Sequence, residues 1–229
     1  MIKLYDSFRE EIDNLRNNFG TFRIAASSVV GNYAIPCTMF RMQSKFDGFT
    51  FSLSSMPSNE VISSIMEGQA DVGFVVGECS EPGITCKKSF SDKIYLVAAA
   101  DYNVDEKITV EDLKKYPLVM LNEKFSSYRM LLSQLKHMGH NMKEFKVLYN
   151  LDSTESVKSS VIGRYGMAFL PYMAIKKEVY LKQLKMIEVD GVNLNYDVYM
   201  IHKTGSFSSE QPIGAVHKYL EKNVSSSMC

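Results

Sequence analysis

Hydrophobic residues in the first half of the chain recur at two spacings, one typical of β-strands and one typical of α-helices. After Gly20 the segments alternate between strand and helix, in the order FRIAAS, a helix to about Phe46, FTFSLS, SNEVISSIMEG and DVGFVV. Apolar and polar residues alternate in FTFSLS, whereas the apolar residues of SNEVISSIMEG lie three and four positions apart. Such alternating units predict a parallel sheet covered by helices.

A second series of the same kind fills the second half of the chain. A strand reading KIYLVAAA is followed by PLVML, a helix over residues 127–138, FKVLYN, a helix over residues 154–162, and MAFLP. The two series predict an α/β fold of two Rossmann-like lobes joined by two crossover segments. We place these crossovers near residues 98–101 and 193–197.

The domain division follows from the crossovers. Lobe I is predicted to comprise residues 21–98 and 196–225, the latter including a closing helix that begins near Pro212. Lobe II is predicted to comprise residues 99–195. No Gly/Ser linker separates the two series, so we expect one hinged unit rather than independent domains.

The opening segment, residues 1–20, has the pattern of a linker or dimerisation helix. Its apolar residues alternate between spacings of four and three, which forms an a/d seam on one helix face, and Gly20 stops the pattern. These residues are Met1, Tyr5, Phe8, Ile12, Leu15 and Phe19. An amphipathic helix that lies on its own domain would show a similar stripe, so both interpretations stay open.

Composition and charge exclude several classes of function. Lysines and arginines number 26 and so do aspartates and glutamates, so the chain lacks the positive excess with which a protein holds DNA electrostatically. No apolar run is long enough to cross a bilayer and no signal-peptide pattern opens the chain, so we expect a cytoplasmic protein without membrane contact. The four cysteines form no CxxC pair and lie near no histidines at ligand spacing, so we predict no metal and no cofactor.

Motifs for catalysis are missing from the sequence. It contains no GxSxG elbow, no GxxxxGK[ST] loop and no GxGxxG fingerprint. His137 and His140 lie three residues apart without a third ligand. We therefore predict that the chain is not an enzyme.

Three stretches, in this order, resemble the effector-binding domain of LysR-type transcriptional regulators. They read FRIAASSVVGNYAIPCTMFRMQSKF, SNEVISSIMEGQADVGFVVG with its Gly-x-x-Asp-x-Gly run, and STESVKSSVIGRYGMAFLP. The similarity runs from about Phe22 to Asn223. It implies a type 2 periplasmic-binding-protein-like fold that binds a small-molecule effector between two lobes, with Ser27 at the ligand.

The resemblance also implies partners. Members of the family carry an N-terminal winged helix-turn-helix, which is absent here, so DNA would be bound only through that missing domain. The opening seam resembles the end of the family's dimerising helix and implies a homodimer or homotetramer. A solute-binding protein of a transport system shares the two-lobed architecture and is the alternative function.

One position departs from the family pattern. Where the family usually has the first glycine of a Gly-x-Gly turn, this sequence has Arg164, and Gly166 keeps the second. If the turn needs a positive φ, arginine costs about 1 kcal/mol there. Either Gly163 takes over the turn, or Arg164 has a partner.

Ligands of two-lobed α/β domains bind at the carboxyl ends of the strands, where helix N-termini offer unpaired N–H groups. Hydroxyl residues at several predicted strand ends and helix starts suit a carboxylate or a sulfate-like anion. The candidate ligand-binding residues are Ser27, Ser28, Gly77, Ser126, Ser127, Arg129 and Thr154. The serines and the threonine could instead simply cap their helices, Gly77 could simply make a turn, and Arg129 could be solvated.

Overall fold

The computed structural model describes residues 20–208 and 211–225. The chain divides into two compact units. Among the described residues, unit 1 comprises those up to Phe90 and those from Val198 onward, and unit 2 is Ser91–Asp197. The predicted opening helix lies outside the described residues, apart from Gly20.

Ten strands and eight α-helices follow one another along the described residues. The strands are β1 (Gly20–Ser27), β2 (Phe49–Met56), β3 (Val72–Val76), β4 (Ile84–Ala99), β5 (Lys107–Ile108), β6 (Pro117–Leu121), β7 (Lys146–Leu151), β8 (Ala168–Pro171), β9 (Leu184–Val189) and β10 (Leu194–Lys203). The helices are α1 (Ser28–Tyr33), α2 (Ile35–Lys45), α3 (Ser58–Met66), α4 (Val110–Leu113), α5 (Ser126–His137), α6 (Thr154–Ile162), α7 (Tyr172–Tyr180) and α8 (Pro212–Asn223).

The sheet of unit 1 has the strand order β2-β1-β3-β10. The first three strands are parallel, with Ala26 opposite both Ser55 on β2 and Phe74 on β3. β10 closes this part of the sheet in the antiparallel direction. Helices α1 and α2 connect β1 to β2, and α3 connects β2 to β3, as parallel neighbours require. The predicted alternation of strands and helices is therefore confirmed here.

The Gly-x-x-Asp-x-Gly run has a structural explanation in unit 1. Gly68 adopts φ +71° where the chain leaves α3. Asp71 accepts hydrogen bonds from the Arg23 backbone N–H at 2.7 Å and from its guanidinium at 2.8 Å. A Cβ at Gly73 would come within 2.7 Å of Val61, so only glycine lets α3 pack this closely on β3. The motif therefore joins one helix to two strands.

Unit 2 repeats the pattern with different partners. β6 and β7 pair in parallel, β4 pairs antiparallel with β8 and β9, and β5 is parallel to β9. A bridge between Leu118 and Met167 links β6 to the segment that leads into β8. The core of this unit includes the fully buried Val119, Val157 and Leu170.

The chain passes between the units within β4 and within β10. The division falls after Phe90 in β4 and after Asp197 in β10, whereas the sequence placed the first crossover at residues 98–101. β4 begins at Ile84, well before the apolar run KIYLVAAA by which the sequence predicted it. The earlier residues of the strand do not alternate between apolar and polar, so the pattern did not reveal them. The extent of the ligand-binding lobes stays a prediction.

The partly buried Asp92 and the buried Tyr196 anchor unit 2. Asp92 on β4 accepts a hydrogen bond from the Tyr196 hydroxyl at 2.8 Å and another from the Met173 N–H at 3.3 Å, near the start of α7. Burial raises the pKa of Asp92 above its usual value, although these hydrogen bonds act in the opposite direction. One carboxylate thus ties β4 to β10 and to a helix start.

Arg164 occupies the strained position that the sequence identified. Its φ is +64°, whereas Gly163 stays in the ordinary region at −71°, so the turn is not rebuilt around Gly163. The guanidinium donates two hydrogen bonds to Asp101, one of them from Nε at 2.9 Å. Of the two alternatives, the second is therefore confirmed: Arg164 has a partner.

A buried ion pair holds α6 against α7. The Lys158 side chain is only 6% exposed, and its Nζ lies 2.9 Å from Glu178, which is 13% exposed. Glu155, one turn earlier on α6, gives Lys158 a second carboxylate at 2.8 Å.

The described residues include no helix that is long and apolar enough to span a membrane.

We predict that Lys158→Met destabilises the protein by about 3 kcal/mol, because removal of one partner leaves the Glu178 carboxylate buried without its cation. Urea denaturation monitored by circular dichroism measures the effect. Lys158→Met combined with Glu178→Leu should recover much of the loss, and the exposed Lys176→Met is a control that should change stability by less than about 0.5 kcal/mol. A single variant no less stable than this control would contradict the prediction.

Arg164→Gly is predicted to stabilise the protein. Glycine relieves a backbone cost of about 1 kcal/mol at this φ, and an exposed ion pair contributes little in return. Thermal unfolding should therefore give a higher Tm for Arg164→Gly than for the parent, and Asp101→Asn should lower Tm only in the parent background. A lower Tm for Arg164→Gly would show that the Asp101 contact outweighs the strain.

Candidate functional site

The first candidate half-site lies at the carboxyl ends of β1 and β3 in unit 1. Ser27 ends β1, Ser28 begins α1, and Gly77 follows β3. Because β1 and β3 are parallel and in register at Ala26 and Phe74, their ends meet at one edge of the sheet. The structure thus brings these three predicted residues to the same edge.

The hydroxyl of Ser27 has no hydrogen-bond partner among the described residues. Ser27 is 5% exposed and stands at the N-cap of α1, yet its side chain makes no capping bond. A buried hydroxyl without a partner costs about 1–3 kcal/mol. The capping interpretation therefore does not account for Ser27.

Gly77 adopts φ +86°, and a Cβ built there would meet nothing within 4 Å. Its backbone conformation, rather than a shortage of space, explains the glycine. The turn interpretation is sufficient for this residue.

Sequence reasoning missed Ser55, which lies at the same edge. Ser55 is opposite Ala26 in the β1–β2 register, one residue before the end of β2. A Cβ on Gly31 of α1 would come within 2.3 Å of the Ser55 hydroxyl, so glycine lets α1 approach this strand end. The signal was available, because Ser54 and Ser55 directly precede the last residue of β2, much as Ser27 ends β1.

The second candidate half-site lies at the carboxyl ends of β6 and β7 in unit 2. These two strands are parallel, and their pairing extends as far as Leu121 opposite Leu151. The N–H of Asn122 then donates to the Leu151 carbonyl at 2.9 Å. α5 starts at Ser126 after the first strand and α6 starts at Thr154 after the second. The structure thus places Ser126, Ser127 and Thr154 beyond one pair of strand ends, with Ser127 and Thr154 each 8% exposed.

Arg129 is engaged with its own loop. Its Nη1 donates to the carbonyls of Glu123 and Lys124 at 3.0 and 3.1 Å, and its Nη2 donates to the Ser126 hydroxyl at 3.3 Å. These bonds hold the loop before α5. The role of Arg129 as a clamp on a carboxylate stays a prediction.

The other serines at helix starts separate into two kinds. Ser153 caps α6, because its hydroxyl accepts the Ser156 N–H at 3.4 Å. Ser58 does not cap α3, since the N-cap residue is Pro57, which makes no side-chain bond. Ser58 instead accepts the Val76 N–H at 3.3 Å, which ties α3 to the end of β3.

Both edges carry hydrogen-bond donors at helix starts, and a carboxylate residue follows a strand end at each of them, Glu78 after Gly77 and Asp152 after β7. α5 has no acidic residue in its first turn, and the one in α6, Glu155, is paired with Lys158. No group of three or more histidine, cysteine, aspartate or glutamate side chains suited to a metal ion occurs within residues 20–208 and 211–225. Hydroxyls and helix N-termini of this kind can bind a small anion.

Comparisons with known proteins bear on this geometry. Residues 16–221 match the LysR substrate binding domain family. A probable RuBisCO transcriptional regulator of Phaeodactylum tricornutum is 22% identical over 210 residues, which cover 90% of this chain and 68% of the relative. The phosphonates import ATP-binding protein PhnC of Anaeromyxobacter dehalogenans is 27% identical over 204 residues, which cover 88% of this chain and 40% of the relative. The chain thus spans only part of each relative.

Solved structures show the same fold. The regulatory domain of CcmR from Synechocystis PCC6803, in complex with 2-PG, matches with a TM-score of 0.76 at 16% identity and covers 91% of this chain and 97% of that one. The effector binding domain of QuiR, in complex with shikimate, matches with a TM-score of 0.72 at 12% identity, covering 92% and 99%. The predicted α/β fold class is confirmed by these likenesses. Because the family match extends over residues 16–221 of the 229, this chain belongs to the LysR substrate-binding domain family.

Proposed function

We propose that this chain is the effector-sensing part of a LysR-type transcriptional regulator. It binds a small anionic metabolite, a carboxylate or a sulfate-like anion, between the strand ends of its two lobes and performs no chemistry. The observation that carries the proposal is the buried Ser27 hydroxyl without a partner, at a sheet edge that also presents Ser28 and Ser55. A ligand oxygen that accepts from Ser27 would offset the cost of burying this hydroxyl.

The second lobe supplies the other part of the proposed site. Ser126, Ser127 and Thr154 follow parallel strands and begin two helices, so their hydroxyls and the first-turn N–H groups offer donors to an anion. Gly77 and Arg129 complete the proposed set of ligand-binding residues. Arg129 donates to the anion from guanidinium N–H groups other than those that hold its loop.

Regulation follows from differential affinity. A ligand that binds both lobes favours their closed arrangement only to the extent that it binds the closed arrangement more tightly than the open one. In a homodimer or homotetramer this bias changes the spacing of DNA-reading domains, which we place N-terminal to this chain in a longer cytoplasmic protein.

A solute-binding protein is the second candidate function, since one relative is named as a phosphonates import ATP-binding protein and therefore belongs to a transport system. The regulator is favoured by the family to which the chain belongs and by relatives named as transcriptional regulators.

We predict that Ser27→Ala separates ligand binding from folding. A panel of small carboxylates and sulfate analogues is screened by thermal shift at constant ionic strength, and a ligand at 100 times its Kd should stabilise the parent by about 2.7 kcal/mol. Ser27→Ala should weaken the best ligand about three- to tenfold, the loss of one hydrogen bond, while the ligand-free protein keeps or gains stability because an unpaired hydroxyl is removed.

Ser153→Ala is the matched control for Ser27→Ala. It removes a capping bond and should cost about 1 kcal/mol of stability while leaving ligand affinity unchanged. An equal ligand-induced shift in Ser27→Ala and in the parent would remove Ser27 from the site.

The oligomeric state distinguishes the two candidate functions. We expect size-exclusion chromatography with light scattering, at micromolar protein, to report a dimer or a larger assembly. Saturating ligand should change the small-angle scattering profile of that assembly. A monomer at every concentration, bound to its ligand, would favour the solute-binding protein.

A further inference from the structure

A basic cavity in unit 1 lies apart from the strand ends discussed above. It has a volume of about 290 Å³ and is formed by the middle of β4, one residue of β10 and the last turns of α8. The lining residues are Lys87, Lys88, Ser89, Met200, Lys218, Glu221 and Lys222. None of the seven predicted ligand-binding residues is among them.

Positive side chains outnumber negative ones in the lining of this cavity. Four lysines line it against one glutamate, although the whole chain carries equal numbers of positive and negative side chains. Glu221 faces the same space and would repel an anion, but it is ion-paired with Lys87, which holds the pKa of this carboxyl below its usual value. Lys218 and Lys222 have no carboxylate partner among the described residues.

An unsatisfied hydroxyl accompanies the lysines. The Oγ of Ser89 is buried and has no hydrogen-bond partner within the part of the chain that the structure describes. A hydroxyl in this state costs free energy unless something donates to it or accepts from it. Ser89 lines the same cavity as lysines from β4 and α8, which points to a ligand that accepts hydrogen bonds.

We propose that this cavity is a second binding site, specific for a small oxyanion such as inorganic phosphate. Its volume is at the lower limit of small-molecule pockets, which suits a single phosphate or sulfate group and excludes a nucleotide. Lysine ammonium groups bind such oxyanions as point charges, and Ser89 adds a directional donor. Occupancy would also join the end of α8 to β4, which are otherwise linked here by the Lys87–Glu221 pair.

The test is isothermal titration calorimetry of the whole chain with sodium phosphate at pH 7, at an ionic strength held constant with sodium chloride. We expect saturable binding that Lys218→Ala/Lys222→Ala weakens at least about tenfold, since each charge-assisted hydrogen bond is among the stronger ones. Ser89→Ala should weaken it about threefold, the effect of one neutral hydrogen bond. The control Lys176→Ala/Lys177→Ala removes two exposed lysines from α7 and should leave the affinity unchanged.

Correlation spectra and a comparison of the variants locate the bound anion. In ¹H–¹⁵N correlation spectra the amide signals of Ser89 and Met200 should shift with phosphate, and they should shift equally in Ser27→Ala. Binding that disappears in Ser27→Ala but survives in Lys218→Ala/Lys222→Ala would assign phosphate to the strand ends and overturn this inference. It would also be overturned if phosphate gave no saturable binding, or if only an acidic peptide bound, which would make the lysines a protein-docking surface.

Discussion

Parallel pairing of strands is the constraint on which the polar architecture of this chain depends. Parallel neighbours must be joined by a crossover, so each strand ends, and each crossover helix begins, at the same edge of its sheet. β1 and β3 in unit 1, and β6 and β7 in unit 2, obey this rule. Hydroxyl residues that are scattered along the sequence are thereby collected at two edges, where first-turn N–H groups also accumulate.

Polar side chains in the interior of this fold differ in whether they have hydrogen-bond partners. The buried Lys158 and the partly buried Asp92 have partners, so each stabilises the packing of helices and strands in unit 2. The hydroxyls of Ser27 and Ser89 have none among the described residues. Thr38 Oγ1, Glu178 Oε2 and His217 Nε2 are also buried without a partner in that part of the chain, so an unpaired atom alone does not mark a site. Ser27 and Ser89 differ because both lie beside groups that favour an anion.

Arg164 shows how a departure from a family pattern is accommodated. The turn keeps the positive φ that a glycine would adopt easily, and the arginine side chain reaches Asp101 instead. Sequence comparison identified the strained position but left two solutions open. Only the three-dimensional neighbourhood, in which residues 63 positions apart meet, decided between them.

Several local features were predictable from the sequence because their causes are local. The spacing of apolar residues predicted most strands and helices, and Ser153, the residue just before α6, caps that helix. Prediction failed where a neighbour in space competes with a neighbour in sequence. Ser58 resembles Ser153 in its sequence surroundings, yet it accepts from Val76 rather than capping α3, because the end of β3 lies within reach of its hydroxyl.

The helix predicted to run to Phe46 illustrates the same limit. It is interrupted at Ala34, so that α1 and α2 are separate helices, and Gly31 lets the first approach the end of β2.

The amino-acid sequence by itself determined the α/β class, the order of elements and the family, since these follow from periodicity and from ordered motifs. Tertiary structure alone decided which hydroxyls remain unsatisfied and that Lys87 and Glu221, 134 positions apart, line one cavity. The reason is physical: burial and charge proximity depend on distances in space, which the spacing of residues along a chain does not contain.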